Sequence, residues 1–100
     1  KYKLEPGMIT SDEPGVYIEG EYGIRIENEI LCKEADGNAD ELYFEMLTLC
    51  PYEPDAIISE RLTEEERSYL NDYHKMIYSK LAPLLEPEVR NWLRKVTAPL

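Results

Sequence analysis

Histidine and cysteine, which build most structural zinc sites, are scarce in this chain of 100 residues. There is one histidine, His74, and there are two cysteines, Cys32 and Cys50, without a CxxC pair. This usage argues against a zinc knuckle or a disulfide scaffold, because both need clustered or regularly paired cysteines. Isolated thiols are typical of a reducing compartment. We therefore expect a cytoplasmic protein with free cysteines.

Basic residues are the second shortage. The chain has 11 lysines and arginines against 21 aspartates and glutamates, which gives a formal net charge of −10. Nucleic acids and anionic membranes are bound through basic patches, so neither is an expected partner. Apolar runs long enough to cross a bilayer are lacking too, as is a signal-peptide pattern. Because the chain opens on Lys1 rather than methionine, we expect a piece of a longer protein.

The first half of the sequence has the residue pattern of β-strands. Glycines, β-branched residues and alternating apolar and polar residues recur up to about residue 50. They predict strands in GMIT (7–10), GVYI (15–18), GIRIENEILC (23–32) and ELYFEMLTLC (41–50), with KEADGNADE (33–41) as a loop or hairpin turn between the last two.

From Pro51 the pattern becomes helical. Residues 51–61 read as a connector without a clear period. Thr63 and Glu66 then have the spacing of a capping box, and Pro83 marks the end of the helix that follows. The predicted apolar stripe of this helix is Leu70, Tyr73, Ile77 and Leu81.

A shorter helix is predicted at residues 86–96. Pro87 suits its first helical position, where the missing N–H costs nothing. Helical spacing predicts one buried face, with Trp92 as its anchor, made of Val89, Trp92, Leu93 and Val96. The predicted fold class is therefore α+β, with antiparallel strands followed by two C-terminal helices.

Two glutamates stand out in the hairpin predicted for residues 11–28. With the turn at Gly20, Glu13 and Glu27 are equidistant from it and face each other across the strands. Alternation places Tyr17 and Arg25 on the same face. The opposite face is apolar and is predicted to be core; it holds Val16, Ile18, Tyr22, Ile24 and Ile26.

The facing carboxylates have two explanations. Like charges directly opposite each other destabilise a strand pair, and a divalent cation between them reverses that penalty. Arg25 would then support a carboxylate ligand from behind. The other explanation is a solvated pair on an exposed hairpin, partly offset by Arg25, and spacing alone leaves both open. Two ligands do not close a metal site, so further ligands would have to lie elsewhere.

Two other patterns carry less weight. DGNADE (36–41) superficially matches a calcium loop, but Glu41 stands where glycine is required and Leu47 where a bidentate glutamate belongs. A turn is the better prediction. His74, on the long helix, is predicted to be a hydrogen-bonded structural residue or a surface group rather than a catalyst.

The hairpin residues resemble those of a known family. EPGVY (13–17) and GIRIEN (23–28) are similar to the last two metal-ligand motifs of the Xaa-Pro aminopeptidases (aminopeptidase P), which are pita-bread metallopeptidases. LTLCPYEPDAI (47–57), LTEEERSYLNDYH (62–74) and WLRKVTAPL (92–100) resemble the C-terminal extension of the long, eukaryotic-type members. The resemblance covers essentially the whole chain.

The resemblance implies a domain organisation and a site. Residues 1–50 would be the C-terminal portion of the pita-bread catalytic domain, and residues 51–100 a helical extension. Glu13 would bind one metal, Glu27 would bridge two, and Arg25 would support the site from behind. The implied cofactors are two divalent ions, Mn²⁺ with Zn²⁺ or Co²⁺ as alternatives. The implied activity removes the N-terminal residue that precedes proline from peptides, and the implied assembly is a homodimer.

The resemblance also implies that the site is incomplete here. The family's other ligands, two aspartates and a histidine, precede these glutamates, whereas His74 follows them. We therefore expect this chain alone to be inactive. The competing interpretation is a non-catalytic interaction or dimerisation module from a degenerate relative. Two aspartates and a histidine at family spacing in the longer sequence would decide for the enzyme.

Overall fold

The computed structural model describes residues 2–100, the side chain of Ala39 excepted. They form two compact units, one that ends at Leu49 and one that spans Cys50–Leu100. The first is built from antiparallel strands and the second from helices. The predicted α+β class, with strands followed by two C-terminal helices, is confirmed. No helix within residues 2–100 has the length and apolar character needed to cross a bilayer.

The first unit contains two small sheets. Its strands are β1 (Ile9–Asp12), β2 (Gly15–Ile18), β3 (Tyr22–Arg25), β4 (Asn28–Ala35) and β5 (Asn38–Met46). Strands β1, β4 and β5 form a three-stranded sheet in that order, while β2 and β3 form a two-stranded ribbon. The chain therefore leaves the sheet after β1, makes the ribbon, and returns to pair β4 with β1.

One strand prediction was wrong, and one hairpin turn was predicted too long. GIRIENEILC is not one strand, because β3 ends at Arg25 and β4 begins at Asn28, and the two pair with different partners. The hairpin turn predicted within KEADGNADE is present but shorter than predicted, because only residues 36–37 separate β4 from β5. Polar cross-strand pairs stabilise this hairpin; Lys33 Nζ, for example, lies 2.8 Å from Glu45 Oε2.

The apolar face of the ribbon is not a core. Ile24 is 61% exposed, and the other members of the predicted core face, Val16, Ile18, Tyr22 and Ile26, are exposed as well. A two-stranded ribbon has no second layer of its own with which to cover an apolar face. In the same unit Cys32, on the central strand β4, is fully buried.

The second unit is organised around helix α1 (Glu64–Leu81). The predicted capping box opens it: Thr63 Oγ1 accepts from the Glu66 N–H at 3.2 Å, and Glu66 Oε2 accepts from the Thr63 N–H at 2.9 Å. A 3₁₀-helix, Ala82–Leu84, follows it and contains Pro83. Of the predicted stripe, Tyr73 and Ile77 are buried, and Leu70 and Leu81 are half-buried. The connector contains two further 3₁₀-helices, Pro54–Ala56 and Ser59–Arg61.

Helix α2 spans Pro87–Val96 and, as predicted, has proline at its start. Its buried side is centred on Leu93, which is 2% exposed. Trp92 is 56% exposed, so the prediction that it anchors a buried face was wrong, and Val89 is exposed too. Adjacent helical residues point about 100° apart, so a helix packed through Leu93 turns Trp92 away.

Candidate metal centre

Glu13 and Glu27 lie at the junction between the ribbon and the three-stranded sheet. Glu13 falls between β1 and β2, and Glu27 falls between β3 and β4. Each glutamate therefore sits where its chain segment passes from one sheet to the other.

A single register runs through both ladders on either side of this junction. In the ribbon, Gly15 pairs with Arg25, and in the three-stranded sheet Asp12 pairs with Asn28. Both pairs are equidistant from Gly20 in sequence, as the hairpin interpretation requires. Gly20 has φ +74°, the left-handed conformation that a tight turn demands and glycine supplies.

One further hydrogen bond carries the register into the junction itself. The Ile26 N–H donates to the Pro14 carbonyl at 3.1 Å, one step beyond the last pair of the ribbon. The next step toward the sheet is occupied by Glu13 and Glu27. The fold thus places the two glutamates opposite each other, and both are exposed.

Tyr17 covers the polar face of the ribbon. A Cβ built on Gly15 would lie 2.5 Å from the phenol oxygen of Tyr17, and one built on Gly23 would lie 2.7 Å from its Cδ1. The ring therefore occupies space that side chains at these two positions would fill. Because Gly15 is the pairing partner of Arg25, the phenol is brought toward that arginine.

Arg25 connects this tyrosine to the glutamates. A hydrogen bond with Tyr17, followed by the electrostatic influence of Tyr17, Glu27 and Glu13, raises the pKa of the Arg25 guanidinium. Arg25 Nε lies 3.5 Å from Glu27 Oε2, with the two side chains 51% and 46% exposed. A pair this exposed adds little stability. The guanidinium thus lies beside the carboxylate of Glu27.

The chemistry of these donors fits a divalent cation, although their number does not complete a site. Carboxylate oxygens are ligands for manganese, magnesium and calcium, and also bind zinc. Among residues 2–100, no group of three or more His, Cys, Asp or Glu side chains could hold a metal ion. That finding covers DGNADE, whose residues belong to the β4–β5 hairpin and its turn.

Sequence reasoning missed the contact between Tyr17 and Arg25, although it placed both residues on one face. The available signal was the pair of glycines, Gly15 and Gly23, on that same face. Glycine inside a strand often marks a site where another group approaches the backbone closely.

Comparison with known proteins gives the class of protein. Residues 41–100 match the family described as the C-terminal region of peptidase M24, and residues 1–34 match metallopeptidase family M24. The chain belongs to this metallopeptidase family and corresponds to its C-terminal part, as the resemblance implied.

Among curated proteins the chain is similar to Xaa-Pro aminopeptidases. It is 41% identical to a probable Xaa-Pro aminopeptidase P of Coprinopsis cinerea, over 97% of this chain and 17% of that protein. It is 39% identical to a probable Xaa-Pro aminopeptidase P of Pyrenophora teres, over 96% of this chain and 16% of that protein. The chain therefore spans about one sixth of the length of these relatives.

A solved structure gives the same result. An X-prolyl aminopeptidase of Caenorhabditis elegans, described as a cytosolic enzyme with a di-nuclear active site, superposes with a TM-score of 0.80 at 31% identity. The match covers 97% of this chain and 17% of that protein.

Proposed function

We propose that this chain is the C-terminal part of a dinuclear-metal Xaa-Pro aminopeptidase in which Glu13 and Glu27 are metal ligands. The observation that carries the proposal is the common register of the two ladders, which puts these glutamates opposite each other. Family membership and the di-nuclear site of the Caenorhabditis elegans enzyme support it. Residues 1–50 then belong to the catalytic domain and residues 51–100 to a helical extension.

Two divalent ions fit the donors that the chain offers. Glu13 would hold one ion and Glu27 would hold both, with Mn²⁺ as the proposed metal and Zn²⁺ or Co²⁺ as alternatives. Bound in such a pair, divalent ions supply a Lewis acid and a nucleophile at neutral pH. The other ligands come from the part of the longer protein outside this chain, because within residues 2–100 no group of three or more His, Cys, Asp or Glu side chains could hold a metal ion.

The chain's own residues set the position and charge of the ligands. Glu13 and Glu27 bring two negative charges to one step of the hairpin, and Arg25 offsets part of them from the side. Tyr17 fixes Arg25 by a hydrogen bond. A guanidinium held beside the carboxylate of Glu27 restricts the rotation of that side chain.

The proposed reaction is hydrolysis of the first peptide bond of peptides whose second residue is proline. On its own the chain lacks ligands and is inactive. We propose a cytoplasmic location, in line with the description of the Caenorhabditis elegans enzyme as cytosolic. We also propose a homodimer, for which the exposed apolar residues Val89 and Trp92 on α2 offer a surface.

A peptidase assay on the full-length protein tests the proposal. With Mn²⁺ present, it should release the first residue of a peptide with proline second and leave the same peptide with alanine second intact. Glu27→Gln should abolish the release, whereas Glu21→Gln, at the turn of the same hairpin, should not change it.

Two outcomes would contradict the proposal, the first its enzyme assignment and the second the ligand role of Glu27. One is the absence of proline-dependent release from a protein that is folded and loaded with metal. The other is full activity in the Glu27→Gln variant. The first would favour the second candidate, a non-catalytic interaction or dimerisation module, for which the exposed apolar face of the ribbon is the supporting observation.

A further inference from the structure

His74 is a buried histidine, and only one of its two ring nitrogens forms a hydrogen bond with the described residues. Its side chain is 0% exposed. Nε2 accepts a hydrogen bond from the Tyr52 N–H at 3.1 Å. Nδ1 is also buried and has no hydrogen-bond partner among the residues that the structure describes.

These contacts determine the protonation state of the ring. Since Nε2 accepts, the imidazole is neutral and carries its proton on Nδ1. A second proton would have to go to Nε2, which would then be a donor facing the N–H donor of Tyr52. Protonation of His74 and its hydrogen bond to Tyr52 therefore exclude each other.

The hydrogen bond holds the first residues of the second unit. Tyr73, next to His74 on α1, donates its hydroxyl to the Cys50 carbonyl at 3.4 Å. The rings of Tyr52 and Tyr73 lie 5.4 Å apart, and those of Tyr52 and His74 lie 6.0 Å apart. Tyr73 and His74, consecutive on α1, thus hydrogen-bond the backbone on either side of Pro51.

We propose that His74 is a pH-sensitive latch, in which protonation of its imidazole breaks the hydrogen bond to Tyr52 and frees the backbone N–H of Tyr52 from helix α1. The word latch denotes here the hydrogen bond from the Tyr52 N–H to His74 Nε2. The proposal does not depend on the peptidase assignment.

The surroundings of the ring offer no charge that would stabilise the imidazolium. The rings facing it are those of Tyr52 and Tyr73, with centroids 6.0 Å and 6.2 Å from the imidazole. Arg67, two turns before His74 on α1, is half-buried and donates to the Ser59 carbonyl at 2.6 Å. Other charged side chains of the neighbouring elements are exposed, among them Asp55, Glu60, Asp72, Lys75, Arg94 and Lys95. Within the described part of the chain, burial is what acts on the ring, and it lowers the pKa of His74.

The direction of the pH effect follows from this lowered pKa. A released imidazole has the ordinary pKa of about 6.5, so the released state binds more protons than the latched state. Above pH 6.5 the hydrogen bond stabilises the latched state to its full extent. Its contribution is lost as the pH falls from there through the lower pKa of the latched ring.

Hydrogen exchange in the full-length protein tests the latch. The protection factor of the Tyr52 amide, corrected for the intrinsic exchange rate, should fall about tenfold or more between pH 7.5 and pH 5. Full titration of a released imidazole sets a ceiling of roughly 30-fold over that interval. The Leu100 amide is the internal control, because it donates to Asn71 Oδ1 on the same helix at 2.8 Å and this acceptor does not titrate.

His74→Gln is the matched variant, because its amide oxygen can accept the Tyr52 N–H and does not protonate in this range. Its Tyr52 protection should be equal at the two pH values. The latch is overturned if wild-type Tyr52 protection ignores pH, if it falls in step with Leu100, or if His74→Gln shows the same fall. Should that variant not fold, the carbon NMR titration of His74 decides, since its midpoint must coincide with the release of Tyr52.

Discussion

Arg25 Nε lies 3.5 Å from Glu27 Oε2, and the same guanidinium hydrogen-bonds Tyr17. The arginine thus joins a tyrosine that covers the ribbon to a glutamate at the junction of two sheets. We propose that the contact restricts the exposed carboxylate of Glu27. We expect the Arg25–Glu27 contact to position the carboxylate and to add little to the stability of the fold, because water screens a pair this exposed.

Arg25→Gln should lower kcat/KM of the full-length enzyme about 10–100-fold, the usual range for loss of a group that orients a metal ligand. The thermal unfolding midpoint should hardly change. Lys33→Gln is the control, since it removes an exposed ion pair of the neighbouring sheet, with Glu45, and should leave kcat/KM unaltered. Equal effects of the two substitutions would rule out a positioning role for Arg25.

Gly23→Ala should act through Tyr17. The added methyl would fall 2.7 Å from Tyr17 Cδ1, so the ring must move and its hydrogen bond with Arg25 is lost. We expect kcat/KM to fall about tenfold, as for other losses of an orienting partner. In a Tyr17→Ala background the same substitution should add nothing. An additive loss in the double variant would show that Gly23 acts independently of the tyrosine.

The capping box of α1 supports a stability prediction. Thr63→Ala removes the acceptor of the Glu66 N–H and should destabilise the helix by about 1 kcal/mol. Hydrogen exchange of the α1 amides measures this local free energy within the full-length protein. Ser68→Ala, at an exposed position inside the same helix, should be neutral or slightly stabilising because alanine has the higher helix propensity. A Thr63→Ala variant as stable as Ser68→Ala would contradict the cap.

The two apolar faces of α2 should respond differently to truncation. Leu93→Ala removes a buried side chain and should cost about 2–5 kcal/mol. Trp92→Ala should change the unfolding free energy of the unit by less than about 0.5 kcal/mol, because its ring is exposed. If α2 contributes to a homodimer, Trp92→Ala should instead raise the dimer dissociation constant, which analytical ultracentrifugation measures. Strong local unfolding caused by Trp92→Ala would show that the indole is part of the core.

Local patterns predicted the helices well. Thr63, Glu66 and Pro83 mark the ends of α1 through short-range hydrogen bonds and a steric block, and such signals lie within one helical turn. The hairpin register was equally accessible, because a glycine turn and alternation fix which residues pair. Both features depend on residues close together in the chain.

Burial was harder to predict than secondary structure. Ile24 and Trp92 have the spacing of core residues, yet both are exposed in the described chain. Periodicity identifies an apolar face but does not supply the layer that covers it. For His74 the sequence left open a hydrogen-bonded structural residue or a surface group. The structure confirms the first, because the side chain is fully buried and Nε2 accepts from a backbone amide.

The candidate site was predictable only in part, for the same reason. The opposition of Glu13 and Glu27 follows from the register, and Arg25 follows from strand alternation. The contact between Tyr17 and Arg25 depends on free space above Gly15 and Gly23, which alternation does not reveal. A metal centre assembled from distant parts of a chain leaves only its local portion visible in a short stretch of sequence.

The most direct test of the central claim is the manganese stoichiometry of the full-length protein, measured by titration calorimetry and elemental analysis. We expect two ions per chain in the wild type, fewer than one in Glu27→Gln, about one in Glu13→Gln, and two in the control Glu21→Gln. Unchanged stoichiometry in both Glu13→Gln and Glu27→Gln would contradict the account, and the facing carboxylates would then be a solvated pair at the junction of two sheets.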